Sequence, residues 1–129
     1  MKISKKAQYG LRAMIFLAKE RGKVFSLKEI SEKEKIPFDF LEKIILKLKK
    51  AGLLKAKKGS IGGYYLAKSP EKIKVGKIIE ILEGKPKLVK CLEGICQISK
   101  NCRAKVFWKK LQRSINSVLN SVTLRDLIK

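Results

Sequence analysis

Ser26 to Leu66 reads SLKEISEKEKIPFDFLEKIILKLKKAGLLKAKKGSIGGYYL. Ser26-Leu27-Lys28-Glu29 fits a capping box, in which a serine hydroxyl and a glutamate carboxylate satisfy free amides reciprocally at a helix start. Leu27 and Ile30 supply the apolar residues of that short helix, which the pattern ends near Lys35. Ile36-Pro37 breaks it, because a residue before proline is pushed out of the helical region. Asp39-Phe40-Leu41-Glu42 reads as a second box-like start, with Asp39 as the capping residue. The helix after it runs to Ala51 with Leu41, Ile44, Ile45 and Leu48 inward, and Gly52 ends it. Two short helices joined by a tight turn, the second cationic on its outer face, have the outline of a helix-turn-helix.

The residues that follow sharpen this outline. Leu53 to Lys58 reads as a short strand, Gly59-Ser60-Ile61-Gly62-Gly63 as a flexible turn, and Tyr64-Tyr65-Leu66 as the returning strand. A hairpin directly behind a recognition helix is a wing, and its glycines would let backbone approach a phosphate or enter a minor groove. From Lys43 to Pro70 there are eight lysines and no acid, whereas glutamates are present on both sides of this window. A solvated lysine-rich surface usually interleaves both signs, so the one-sided charge points to a polyanion. The candidate contacts to nucleic acid are Lys28, Asp39, Phe40, Glu42, Lys43, Lys47, Lys57, Lys58, Gly59, Gly62, Gly63 and Tyr64.

Upstream, Ser4 is a plausible N-cap for a helix over residues 4 to 21, with Leu11, Met14, Ile15 and Ala18 on one face and Gly22 as the stop. Val24-Phe25 is a short extended link. Downstream, Val75 to Leu82 is a short apolar helix closed by Gly84 and Pro86, and residues 85 to 101 read as a loop. A long helix then runs from about Cys102 to about Asn120, with Val106, Phe107, Leu111, Ile115, Val118 and Val122 spaced by three and four. Trp108 widens its apolar stripe, which exceeds what a small helical core can cover. Part of the helix is expected to pack on its own domain and the rest to form a seam with a second copy. Thr123-Leu124-Arg125-Asp126 restarts a final helical turn.

The fold class is therefore mainly α with a small β-hairpin wing. A winged helix-turn-helix domain over residues 1–84 precedes a cysteine-bearing loop over 85–101 and a dimerisation helix with its C-terminal turn over 102–129. Within the first domain, the helix-turn-helix takes about 26–51 and the wing about 53–67.

The chain has 129 residues, enough for one core, and carries 32 Lys+Arg against 11 Asp+Glu, a formal charge of +21. Apolar residues make up 45%, so the charge is not the mark of a disordered tail. The absence of histidine excludes Ser-His-Asp and Cys-His catalysis and His-ligated zinc, and no paired acid and base argue for an enzyme. The basic start leads into an apolar run interrupted by Arg12, without a cleavage site, and no stretch is long enough to span a bilayer. A cytoplasmic protein without membrane contact is expected. A basic RNA-binding protein is the more distant alternative; it would need exposed stacking aromatics, and few are at hand.

Cys91, Cys96 and Cys102 place three thiols within twelve residues, in a polar segment flanked by Lys90, Lys100, Arg103 and Lys105. Clustered thiols in a reducing compartment bind metal or sense redox state, and neighbouring cations favour the thiolate. Spacing alone leaves zinc, an iron–sulfur cluster and a thiol switch open.

Taken in order, these motifs resemble the Rrf-two family of bacterial winged-helix transcription factors, which includes regulators of the IscR, NsrR and CymR types. The resemblance spans essentially the whole chain. It is carried by Met1-Lys2-Ile3-Ser4 leading into Tyr9-Gly10-Leu11-Arg12-Ala13-Met14, by Ile36 to Ile44, and by Ala51-Gly52-Leu53. Gly59 to Tyr64, Glu83-Gly84, the three cysteines and Thr123-Leu124-Arg125-Asp126-Leu127 complete it. It implies a homodimeric regulator, in the first instance a repressor, on a pseudo-palindromic double-stranded DNA operator, joined through the C-terminal helix. Recognition-helix contacts would fall on Asp39, Phe40, Glu42 and Lys43, with Lys58 as the wing cation. The cysteines match positions that hold a two-iron or four-iron cluster in the sensor branch, although the first gap is four residues where several members have five. Some members place a histidine where this chain has Lys105, and others a carboxylate where it has Gln8. The fourth ligand is left open, with Gln8 or Glu93 available. A cofactor-free or thiol-sensing member of the same family is the alternative.

Overall fold

The structure, a computed structural model, describes residues 2–85, 88 and 102–129. Helix α1 covers Lys5–Lys19, and the Ser4 side chain accepts a hydrogen bond from the Ala7 amide at its start. Helix α2, Leu27–Glu34, opens on the expected capping box. The Glu29 amide donates to Ser26 Oγ at 3.1 Å, and the Ser26 amide donates to the Glu29 carboxylate at 3.0 Å. The bond from the Ser26 amide first, and then one from the Ser26 hydroxyl, hold the Glu29 carboxyl below its ordinary value.

Helix α3, Phe38–Lys50, corrects one expectation. It begins two residues early, with Pro37 at the N-cap, and Asp39 lies inside the first turn rather than capping it. Proline sets φ near −54° at Pro37, which prepares the entry without a side-chain cap. The inward set is as the spacing predicts, since Leu41, Ile44, Ile45 and Leu48 are all fully buried.

Strands β1, Leu54–Lys57, and β2, Gly63–Leu66, form an antiparallel hairpin in which Leu54 faces Leu66 and Lys57 faces Gly63. Phe25, expected only as a link, pairs with Tyr64 through bonds of 3.1 and 2.7 Å, so the hairpin is tied to the chain just before α2. A single 3-10 turn at Pro70–Lys72 leads into α4, Val75–Glu83. Helix α5 covers Arg103–Ser121, and α6, Leu124–Leu127, carries a capping box of Thr123 and Asp126.

One apolar core joins α1, α2, α3, α4, the hairpin and Leu124 of α6. The C-terminal segment reaches that core by pairing with the strand-like residues before α4. The Val75 amide donates to Val122 O, and the Leu124 amide donates to Ile73 O, both at 2.9 Å. Helix α5 itself has no buried residue; Val106 is 68% and Phe107 55% exposed, and Val118 is exposed as well. No helix among the described residues is long and apolar enough to cross a membrane. The expected loop with Cys91, Glu93 and Cys96 lies outside the described residues.

Candidate nucleic-acid interface

Four fully buried side chains on one face of α3 oblige its opposite face to point outward. Asp39, Glu42, Lys43, Leu46, Lys47 and Lys50 are all exposed there. Asp39 and Glu42 have no ion-pair or hydrogen-bond partner among the described residues. An acid in the first turn and Lys47, Lys49 and Lys50 in the last complement the helix dipole. The same order places hydrogen-bond acceptors at one end of the exposed row and cations at the other.

The N-terminal end of α3 is fixed by aromatic packing. Phe40 meets Tyr9 edge to face, with centroids 5.4 Å apart and planes at 84°. Arg12 and Lys5 lie 5.8 and 5.9 Å from the Tyr9 ring centroid, and Arg12 also pairs with Glu34 at 3.6 Å. Phe40 is 38% exposed, so it anchors α3 on α1 while part of its ring stays accessible. Lys28 is exposed on the first turn of α2.

Two features of this surface escaped the sequence reading. Leu46 is 55% exposed in the middle of the outer row of α3, an apolar side chain suited to a thymine methyl group. The second is the approach of Lys6 on α1 to Lys47 on α3. The nearness of the Lys6 side chain, with some desolvation, holds the Lys47 ammonium below its ordinary value. A pair of facing ammonium groups is relieved by an anion between them. Only the packing of α1 on α3 reveals it, since forty residues separate the two in sequence.

In the wing, Lys57 and Lys58 are exposed, and Gly59 takes φ of 116° at the turn. Packing within the hairpin gives a reason of its own for the next two glycines. A Cβ on Gly62 would overlap the Lys57 carbonyl oxygen, and one on Gly63 would overlap the Phe25 carbonyl. Both glycines serve the closure of the hairpin on itself and on Phe25. Tyr64 is half-buried and packs against the core, so it supports the wing from behind.

Of the three thiols, Cys102 is described. It is half-buried at the N-cap of α5, and its carbonyl accepts from the Lys105 amide at 3.2 Å. Gln8 is exposed on α1, with Nε2 donating to Ile3 O at 2.8 Å.

A helix, a tight turn, a second helix with a free outer face and a hairpin behind it define a winged helix-turn-helix transcriptional regulator. The chain belongs to the Rrf2 family, described as iron-dependent transcriptional regulators, whose pattern matches residues 3–129. Among its relatives is the HTH-type transcriptional regulator CymR of Bacillus subtilis, 38% identical over 128 residues, covering 98% of this chain and 89% of the relative. The solved structure of that protein, titled as a global cysteine regulator, superposes with a TM-score of 0.86 at 37% identity, covering 99% of this chain and 96% of the other. The structure of T. potens IscR gives a TM-score of 0.81 at 40% identity, covering 99% and 86%. An oxidized form of Staphylococcus aureus CymR gives 0.82 at 35%, covering 100% and 97%. The family consists of transcriptional regulators, not enzymes.

Proposed function

We propose that the chain is a homodimeric transcriptional repressor that binds DNA sequence-specifically and is switched by chemistry at Cys91, Cys96 and Cys102. The observation that carries the DNA reading is the outer row of α3, exposed opposite four fully buried side chains. In this reading Asp39 and Glu42 accept hydrogen bonds from cytosine amino groups in the major groove. Lys28, Lys43, Lys47, Lys57 and Lys58 hold phosphates on either side.

Helix α5 supplies the seam with a second copy. A 19-residue helix with no buried residue, and with Val106, Phe107 and Val118 exposed, leaves an apolar stripe that a second α5 would cover. Two recognition helices a helical turn apart would then meet both halves of a pseudo-palindromic operator.

Three soft thiolate donors without histidine suit an iron–sulfur cluster, and Cys102 stands at the start of α5 where ligation would bear on that helix. A cluster would supply a redox- and nitric-oxide-reactive centre whose gain or loss changes what the cysteine segment can bind. The chain's own packing supports a route by which such a change would reach DNA. The segment is bounded by α4 and α5. A Cβ on Gly10 of α1 would overlap Leu82 near the end of α4 and lie 3.4 Å from Ile44 of α3. The Ser4 amide donates to the Glu83 carboxylate. At the other end of α4, Gly76 sits against Leu119 of α5. Movement of either boundary is therefore passed to α1 and to the back of the recognition helix. It alters the fit of two half-sites that must be met together.

The likeness to CymR, including an oxidized form, favours a second reading in which the same thiols act without iron. Visible absorption with iron and sulfide counts on anaerobically purified protein separates the two. Replacing all three cysteines by serine is expected to abolish iron loading and leave the dimer intact by sedimentation. Colourless protein after anaerobic reconstitution would favour the thiol reading, and retained stoichiometric iron in the triple variant would remove these thiols from the site.

A further inference from the structure

Ile61 is 80% exposed, more than any other large apolar side chain among the described residues. It stands at the tip of the wing, where turn chemistry favours glycine, asparagine or aspartate rather than a β-branched residue. A single exposed apolar side chain is ordinary on a protein surface, but this one is presented on a braced support. The Gly62 amide donates to Gly59 O at 3.0 Å, and Gly62 lies tight against the Lys57 carbonyl. Buried Leu54 and Leu66 and the Phe25–Tyr64 pairing fix the hairpin base to the core. Exposed Lys57 and Lys58 precede it, and no acid lies within the window from Lys43 to Pro70.

We propose that Ile61 is a specificity residue that reads the minor groove beside each half-site, accepting A·T pairs and rejecting G·C pairs. The proposal rests on the DNA-binding reading above and adds to it a base preference at positions that α3 does not reach. The argument is one of hydrogen-bond satisfaction. Both A·T orientations present only acceptors in the minor groove, whereas guanine adds its N2 amino donor. An isoleucine pressed to the groove floor strips water from that amino group and offers no acceptor in return. Leaving a donor desolvated and unpaired costs binding about fivefold or more. Lys57 and Lys58 would meanwhile sit at the phosphates that wall the groove, where a narrow A·T tract concentrates negative potential.

The test uses the full-length protein and a duplex selected from a randomised pool. Each pair flanking the half-sites is changed in turn from A·T to G·C and then to inosine·cytosine. Inosine keeps the major-groove edge of guanine and lacks only the N2 amino group. The expected result is a loss of about fivefold or more with G·C at one or two flanking positions, restored by inosine. In Ile61→Asn, whose amide oxygen can accept from the amino group, the G·C penalty should shrink while the A·T duplex still binds. Circular dichroism confirms that the variant is folded. Equal binding of the three duplexes at every flanking position would overturn the proposal. So would a G·C penalty that inosine leaves in place, or one that survives intact in Ile61→Asn. Failure of the wild-type protein to bind any selected duplex would instead sink the DNA-binding reading, and this inference with it.

Discussion

Replacement of Lys58 by alanine tests the proposed DNA surface quantitatively. The residue follows the last paired position of β1 and is exposed. No acid lies between Lys43 and Pro70 to offset it, so its whole charge is available to a phosphate. Each phosphate neutralised by a cation releases condensed counterions and contributes about 0.9 to the slope of log affinity against log salt. Two subunits each losing one such contact should flatten that slope by about 1.8. Over a fourfold rise in salt, the wild-type protein should therefore lose about tenfold more affinity than the variant. Fluorescence anisotropy with a selected duplex across a salt series measures both slopes. Lys109→Ala is the control, since Lys109 is equally a charged, exposed lysine but lies on α5, off the proposed surface. An unchanged slope in Lys58→Ala, or equal flattening by Lys109→Ala, would show that the wing lysine acts only through the general charge of +21.

Glu42→Ala should relax base preference more than it weakens binding, read by comparing the pools of duplexes that each protein selects; an unchanged preference would remove Glu42 from the bases. Leu124→Ala empties a fully buried site where the C-terminal turn meets the core and should cost about 2–5 kcal/mol in urea denaturation. A cost well below that would mean the C-terminal turn is not seated on the core as described. For Glu29, the folded-state pKa lies below the ordinary 4.5 because the Ser26 amide donates to the carboxylate. Its contribution to stability is present above the ordinary value and lost as pH falls through the depressed one. The stability difference between wild type and Glu29→Ala should accordingly be largest near neutrality and narrow on acidification; a difference independent of pH would assign the effect to helix propensity alone.

The legible parts of the fold were the local ones. The Ser26–Glu29 box, the inward set of α3 and the Gly-rich hairpin depend on residues a few positions apart, where periodicity and turn chemistry act. Asp39 misled because an acid followed by Glu42 imitates a cap, whereas Pro37 already supplies the entry angle. What the sequence could not show depends on elements far apart in the chain. Pairing of Phe25 with Tyr64 explains why Gly63 must lack a side chain. The Lys6–Lys47 approach and the bond from Leu124 to Ile73 arise only once helices pack. On the proposed DNA surface, one-sided charge makes the lysines legible, while Leu46 and Ile61 are not, because an apolar residue reads as core until its face is known.

Sedimentation velocity of the protein mixed with a selected duplex bears most directly on the regulatory account. Two chains should travel with each duplex in one complex at moderate salt. A single chain per duplex, or free DNA sedimenting apart from the protein, would contradict it.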